Sequence, residues 1–278
     1  MRHYKKLLVW SIIRHVLLLT GALLVLAPFI WAILISFRPP EELFSAEFQI
    51  LPNNWAVWRN YSMALTESPL LLYILNGVIV CTGIFFFQVM FALPCAYALA
   101  KLNFRFRSTL FTIVLIGLLV PPQVLAIPRY ILCYKAGILD TYAALIAPFT
   151  ISVFGIFLMR QFFRTVPDDL IHAARIDGLS EFSIVWRIML PAVYPALVAF
   201  GIFSLVSHWN DLFWPLIVIN SEKIATPPLG AVLFINEEAG NDYGALMAAM
   251  AIITTPLIAA FLIAQRRFVE GITLSGMK

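Results

Sequence analysis

The chain is 278 residues long, 62% apolar and only 12% charged, with a formal net charge of +4; soluble globular domains run at about 45–50% apolar and about 25% charged. With a mean hydropathy of +0.90, this composition asks for lipid as solvent, which excludes a soluble enzyme, a disordered chain and a nucleic-acid-binding domain. Three cysteines are odd in number and too few for a disulfide framework; Cys81 and Cys95 fall inside an apolar run, where cysteine behaves as a small hydrophobe.

A bilayer core takes roughly 20 apolar residues of helix. In chain order, charge-free windows of that size occur at residues 16–36, 70–100, 109–128, 141–159 and 244–265, and a sixth at 188–219 carries one charge, Asp211. The predicted fold is therefore all-α, a single polytopic membrane domain over residues 1–278. Its six spans fall at about 16–36, 70–100, 109–128, 141–159, 195–219 and 244–265. The 70–100 window exceeds one span, and tilt or a kink at Pro94 is expected. The first window is too long for a secretory signal and lacks a cleavage site, so it reads as an uncleaved span. Residues 7–13 before it are apolar enough to form a short interfacial helix.

An even number of spans places both termini on one face. Fourteen of the 19 lysines and arginines fall on that face, and the other five are Arg38, Arg59, Arg129, Lys135 and Lys223. The positive-inside rule makes the richer face cytoplasmic, with both termini there. Three connecting segments are long: 37–69 and 220–243 outside, and 160–191 inside. Prolines and asparagines in 37–69, such as Pro52-Asn53-Asn54, favour turns over regular helix.

The inner segment reads as a helix with marked ends. Thr165 is placed to cap it, Pro167 suits its first turn, and Asp168 and Asp169 complement the positive helix terminus. Gly178 supplies the left-handed residue that closes a helix. Ser180 opens a second short helix, with Ile184 and Ile188 on one face, and Leu190-Pro191 ends it. Ala173 and Ala174 give the first helix a smooth side against which another protein can sit. The pattern also suits an amphipathic connecting loop with no partner.

The order His172-Ala173-Ala174, three residues, Gly178, nine residues, Ile188-x-Leu190-Pro191 resembles the E-A-A-x(3)-G-x(9)-I-x-L-P motif of ABC importer permeases. Only the first position departs, with His172 where the family usually has Glu. Further likeness lies in Ala96-Tyr97-Ala98-Leu99-Ala100 with Phe104-Arg105, in Trp209-Asn210 with Trp214-Pro215-Leu216, and in Gln265-Arg266-Arg267-Phe268-Val269-Glu270-Gly271. Together these resemble the smaller, six-span permease of the carbohydrate-uptake branch, the maltose and glycerol-phosphate type, over nearly the whole chain.

That resemblance implies a type I importer permease fold in the bacterial inner membrane, surrounded by lipid. It also implies a homologous second permease, two cytoplasmic ABC ATPase subunits and an extracytoplasmic solute-binding protein that delivers a sugar or sugar-like solute. The segment 160–191 would dock on an ATPase through Asp168, Asp169, His172, Ala173, Ala174, Asp177, Gly178, Leu190 and Pro191. No G-x-x-x-x-G-K-[ST] phosphate loop occurs in the sequence, so ATP and Mg are expected on the partner ATPase, with no cofactor, metal site or catalytic residue in this chain. His172 cannot make the ion pair of the family's Glu. Either Asp168, Asp169 and Asp177 supply the negative charge, or the position is tolerant.

Asp211 is the one carboxylate in a predicted span, and with Trp209 and Asn210 it has the chemistry that holds a sugar; Asn76 and Gln123 are further pathway candidates. The other reading places Asp211 at the outer interface, with the tryptophans forming an aromatic belt. In the outer segment 220–243, the run Asn236, Glu237, Glu238, Ala239, Gly240 and Asn241 is polar and acidic. By resemblance it reaches toward the solute receptor; otherwise it is a solvated turn. An ion-coupled secondary transporter is the alternative function, and it calls for paired intramembrane ionisable groups and repeat symmetry.

Overall fold

The computed structural model describes residues 2–43, 50–234 and 242–276, with side chains over 10–43, 50–232 and 242–265. Regular structure among them is helical throughout. In chain order the helices are α1 (Arg2–Ser36), α2 (Pro40–Leu43), α3 (Val57–Thr66), α4 (Leu70–Lys101), α5 (Arg107–Leu119), α6 (Ala126–Lys135), α7 (Tyr142–Ile146) and α8 (Val153–Phe163). They continue with α9 (Asp168–Ile176), α10 (Glu181–Ile184), α11 (Leu190–Ala192), α12 (Tyr194–Trp209), α13 (Phe213–Val218), α14 (Pro227–Phe234) and α15 (Tyr243–Gly276).

Three helices are long and apolar enough to cross a membrane unaided: α1 over Trp10–Ser36, α4, and α15 over Tyr243–Gln265. Three bent pairs bring the number of candidate spans to six: α5 with Pro122–Lys135 at 99°, Tyr142–Phe149 with α8 at 44°, and Glu181–Ala192 with α12 at 88°. Each bend has a local cause. Pro121 follows Val120, whose extended ψ of 118° is what a residue before proline adopts. Ser152, extended, restarts the chain by capping Gly155 N–H at 3.0 Å. Val193 leaves helical geometry just ahead of Pro195.

Several expectations shift. The 109–128 window is not one straight helix but breaks at 120–121. α1 runs without interruption from Arg2 through Arg14, so residues 7–13 form no separate interfacial helix. α3 lies in the 37–69 segment, where turns were expected, and α14 lies in 220–243. Pro191 does not end the second inner helix; helical turns continue through Ala192, and the break comes at Val193.

The chain divides into two units, residues 1–70 with 231–254, and residues 71–230 with 255–278. In the first, the Asn60 amide donates to the carbonyls of Ser36 at 2.9 Å and Arg38 at 2.8 Å, satisfying the open end of α1. Arg59 reaches Asp242 at 2.7 Å, and Asp242 caps α15 by accepting from Ala245 N–H at 3.1 Å. Gly244 permits this approach, because a Cβ there would stand 2.6 Å from the Arg38 carbonyl oxygen.

In the second unit, Leu93, Tyr97, Met159, Phe163, Ile171, Ala174, Ile184, Met189 and Phe200 share one core that joins α4, α8, α9, α10 and α12. Gly155 lies against the Phe200 ring, where a Cβ would come within 2.3 Å. At the other end of this unit Asp140, at φ +56°, accepts from the N–H groups of Asn220 at 3.0 Å and Ser221 at 2.9 Å, and from the Ser221 hydroxyl. Those hydrogen bonds hold its carboxyl below the ordinary aspartate range.

Candidate functional site

Residues 165–191 form a helical elbow. Pro167, extended, stands at the N-cap of α9, so Thr165 is not the cap; its hydroxyl instead donates to the Phe162 carbonyl at 2.8 Å. Asp168 and Asp169 occupy the first turn. At the far end Gly178, at φ +80°, closes a Schellman motif in which Gly178 N–H donates to Arg175 and Leu179 N–H to Ala174, both at 3.0 Å. Ser180 caps α10 through Ser183 N–H at 3.3 Å.

Charged contacts fasten both ends of the elbow to α4. Lys101 Nζ lies 2.6 Å from both the Val166 carbonyl and Asp168 Oδ1; its side chain is 7% exposed and that of Asp168 is 68% exposed. The ammonium holds the Asp168 carboxyl below the usual range, through its hydrogen bond first and its charge second. Glu181 takes a hydrogen bond from the Tyr97 hydroxyl at 2.5 Å and two from Arg175 at 2.7 and 3.2 Å.

Ile171 and Ala174 are buried in the shared core, which leaves α9 with an outer face. Ala174 therefore packs inward and only Ala173 remains outside. Exposed on the elbow are the apolar residues Leu170, Ala173 and Ile176 at i, i+3, i+6, followed by Phe182, with Leu170 48%, Ile176 86% and Phe182 60% exposed, interleaved with the exposed Asp168, Asp169, His172 and Arg175. His172, Asp177 and Gly178 are exposed beside them, whereas Leu190 and Pro191 lie in the helical run leading to α12. Sequence reasoning passed over Leu170, Ile176 and Phe182, although their near-threefold spacing around an alanine was visible. It also passed over the anchors Lys101, Tyr97 and Glu181.

The pathway candidates separate. Gln123, Asn210 and Asp211 meet around a cavity of about 400 Å³ that also receives Arg129, Ser207 and His208. Asp211 Oδ1 accepts from Trp214 N–H at 3.2 Å. The Arg129 guanidinium stands 5.0 Å over the Phe149 ring. A second cavity of about 320 Å³ shares Ser207 and His208 and adds Gln88 and Ser204. There Gln88 contacts His208 Nε2 at 3.2 Å and accepts from the Ser204 hydroxyl at 2.7 Å.

Trp209 lies apart, buried against Gly77 and lining an apolar cavity with Phe85 and Pro256. Asn76, fully buried, is bonded throughout: it donates to the carbonyls of Lys223 at 3.0 Å and Ala225 at 2.9 Å, and accepts from Tyr142 at 2.5 Å. Asn236, Glu237, Glu238, Ala239, Gly240 and Asn241 lie outside the described residues. Among the described residues no group of three or more His, Cys, Asp or Glu side chains could hold a metal.

Residues 88–273 match the model of a family described as the binding-protein-dependent transport system inner membrane component. The arabinooligosaccharides transport system permease protein AraQ of Halalkalibacterium halodurans is 33% identical over 260 residues, covering 92% of each chain. The protein of that name from Bacillus subtilis is 30% identical over 280 residues, covering 100% of this chain and 99% of its own. The sn-glycerol-3-phosphate transport system permease protein UgpE of Yersinia pestis is 29% identical, over 93% of this chain and 94% of its own. Among solved structures, a chain of a bacterial ABC transporter involved in the import of the acidic polysaccharide alginate superposes with a TM-score of 0.80. Its identity is 24%, over 94% of this chain and 96% of that one.

Proposed function

The chain belongs to the family of binding-protein-dependent transport system inner membrane components, and we propose that it is the smaller permease of an ATP-driven importer for a carbohydrate. Its relatives' names support the solute class. In this reading a homologous second permease completes the pore, and an extracytoplasmic binding protein delivers the solute. Two ATPase subunits, carrying ATP and Mg, dock on the cytoplasmic face, where both termini also lie. The cavity around Gln123, Asn210 and Asp211 offers hydroxyl-binding groups along the route.

The observation that carries this reading is the apolar ridge of Leu170, Ala173, Ile176 and Phe182 on an elbow fastened at both ends. Exposed apolar side chains in an aqueous loop mark a protein contact. The three aspartates of the elbow flank it, and His172 leaves the ridge itself unchanged. Solute-stimulated ATPase activity of the purified assembly tests the reading. Ile176→Glu puts a charge at the centre of the contact and should lower the stimulated rate roughly tenfold or more, as loss of an interface hot spot does. Wild-type stimulation in that variant would refute the docking role.

A further inference from the structure

The start of α5, the connection before it and the end of α8 surround a cavity of about 640 Å³ into which Arg107, Arg160 and Arg164 converge with the hydroxyl residues Ser108 and Thr109. Arg107 is held by the carbonyls of Leu99 at 2.9 Å and Ala100 at 2.7 Å, and by Asn103 Oδ1 at 3.1 Å. Arg160 donates to the Leu99 carbonyl at 3.0 Å and lies 3.5 Å over the Phe111 ring. Arg107 and Arg164 are both near enough to repel it. Among the described residues none of the three forms an ion pair with a carboxylate. Fixing three like charges around one cavity is costly unless an anion enters.

The backbone adds to this field. α5 begins in the cavity wall, and its N-cap, Phe106 at φ +67°, has no side-chain oxygen to accept from the first-turn N–H groups. The positive end of a 13-residue helix therefore adds to the arginines. The surroundings identify the anion's source. Phe104 and Phe106 are exposed at the rim, and Leu110 and Ile113 continue an exposed apolar track along α5. Arg105, outside the cavity lining, stands 5.0 Å over the ring of Phe106. A polycationic pocket opening onto a greasy helix face at a span end fits a phosphate that carries acyl chains.

We propose that this cavity binds the phosphate headgroup of an anionic phospholipid, with an acyl chain laid along Leu110 and Ile113. Basic pockets between spans recognise such headgroups, each arginine contributing about 1 kcal/mol, or about fivefold in affinity. Lipid held there would tie the start of α5 to the end of α8. This holds whichever solute the protein carries.

The test uses the assembled transporter in detergent, equilibrated with phosphatidylglycerol or phosphatidylcholine, with retained lipid counted by native mass spectrometry. Wild type should retain phosphatidylglycerol in preference. Arg164→Gln, which removes the exposed cation and none of the bonds that hold α4, should weaken retention about fivefold. Arg164→Lys should restore most of it, and Lys135→Gln should have no effect. Equal retention by wild type and Arg164→Gln would overturn the proposal. Release of the lipid by millimolar inorganic phosphate would overturn the lipid assignment in favour of a free-anion pocket.

Discussion

Gly178 offers the sharpest perturbation of the elbow. No atom lies within 4 Å of the position a Cβ would take, so Gly178→Val meets no steric clash and its whole effect comes from the backbone. At φ +80° a side chain costs about 1–2 kcal/mol, and β-branching places valine toward the upper end. A loss of that size shifts a two-state population by a factor of roughly 5–30. The shift falls on the Schellman bonds from Gly178 and Leu179, which terminate α9 directly after Ile176. Freed from them, the last turn unwinds and the ridge loses its spacing. Gly178→Asn, which tolerates the left-handed region, should fall between glycine and valine. Solute-stimulated ATPase and uptake in proteoliposomes are the readouts, with thermal unfolding showing that the spans remain folded. If Gly178→Val folds and stimulates like wild type, the elbow does not carry coupling.

Two other predictions concern the supports. Because Asp168 has its folded-state pKa depressed by Lys101, its contribution to holding α9 is full above the unfolded value of about 3.9 and is lost as pH falls through the folded value. Hydrogen exchange of residues 168–176, corrected for intrinsic rates, should thus be flat from neutral to mildly acidic pH and rise only in stronger acid. Lys101→Met should raise exchange at neutral pH and flatten the acid step, so an unchanged step would remove the pair from the account. In the core, Gly155→Ala forces a Cβ into the Phe200 ring and should destabilise by about 1–3 kcal/mol. Gly21→Ala, with open space around it, should unfold no earlier than wild type; equal melting of the two variants would contradict the packing.

The apolar windows, the Gly178 stop and the Ser180 cap were legible because each depends on local chemistry, whereas Thr165 and Pro191 did not mark the helix ends expected of them. Lipid selects runs of apolar residues, and Gly178 marks its own left-handed turn. The bends were not legible in the same way. The 109–128 window looked continuous because Val120-Pro121 changes direction without changing hydropathy. That bend also decides Arg129. Counted along the chain it belongs to an outer loop, whereas the 99° turn into α6 carries it to a cavity wall beside Asp211. Asn76 illustrates a different limit. A carboxamide in a span must find partners, but sequence does not say which, and here they are the backbone of 223–225 and Tyr142.

The ridge differs from both, because its meaning comes from what lies behind it. A nine-residue helix is marginal alone, so the shape of α9 is set by Ile171 and Ala174 in the core it shares with α4, α8 and α12. Lys101 then fastens its first turn to α4, and Tyr97 fastens Glu181, at the start of α10, to the same helix. A push on Ile176 therefore cannot be absorbed by bending the loop; it has to move Met159, Phe163 and Met189 or break contacts on α4. By linkage the converse holds equally, so a change in span packing caused by solute must alter the geometry of the ridge. In the proposed cycle, a partner docked on the ridge and solute bound among the spans would bias each other's binding through this core.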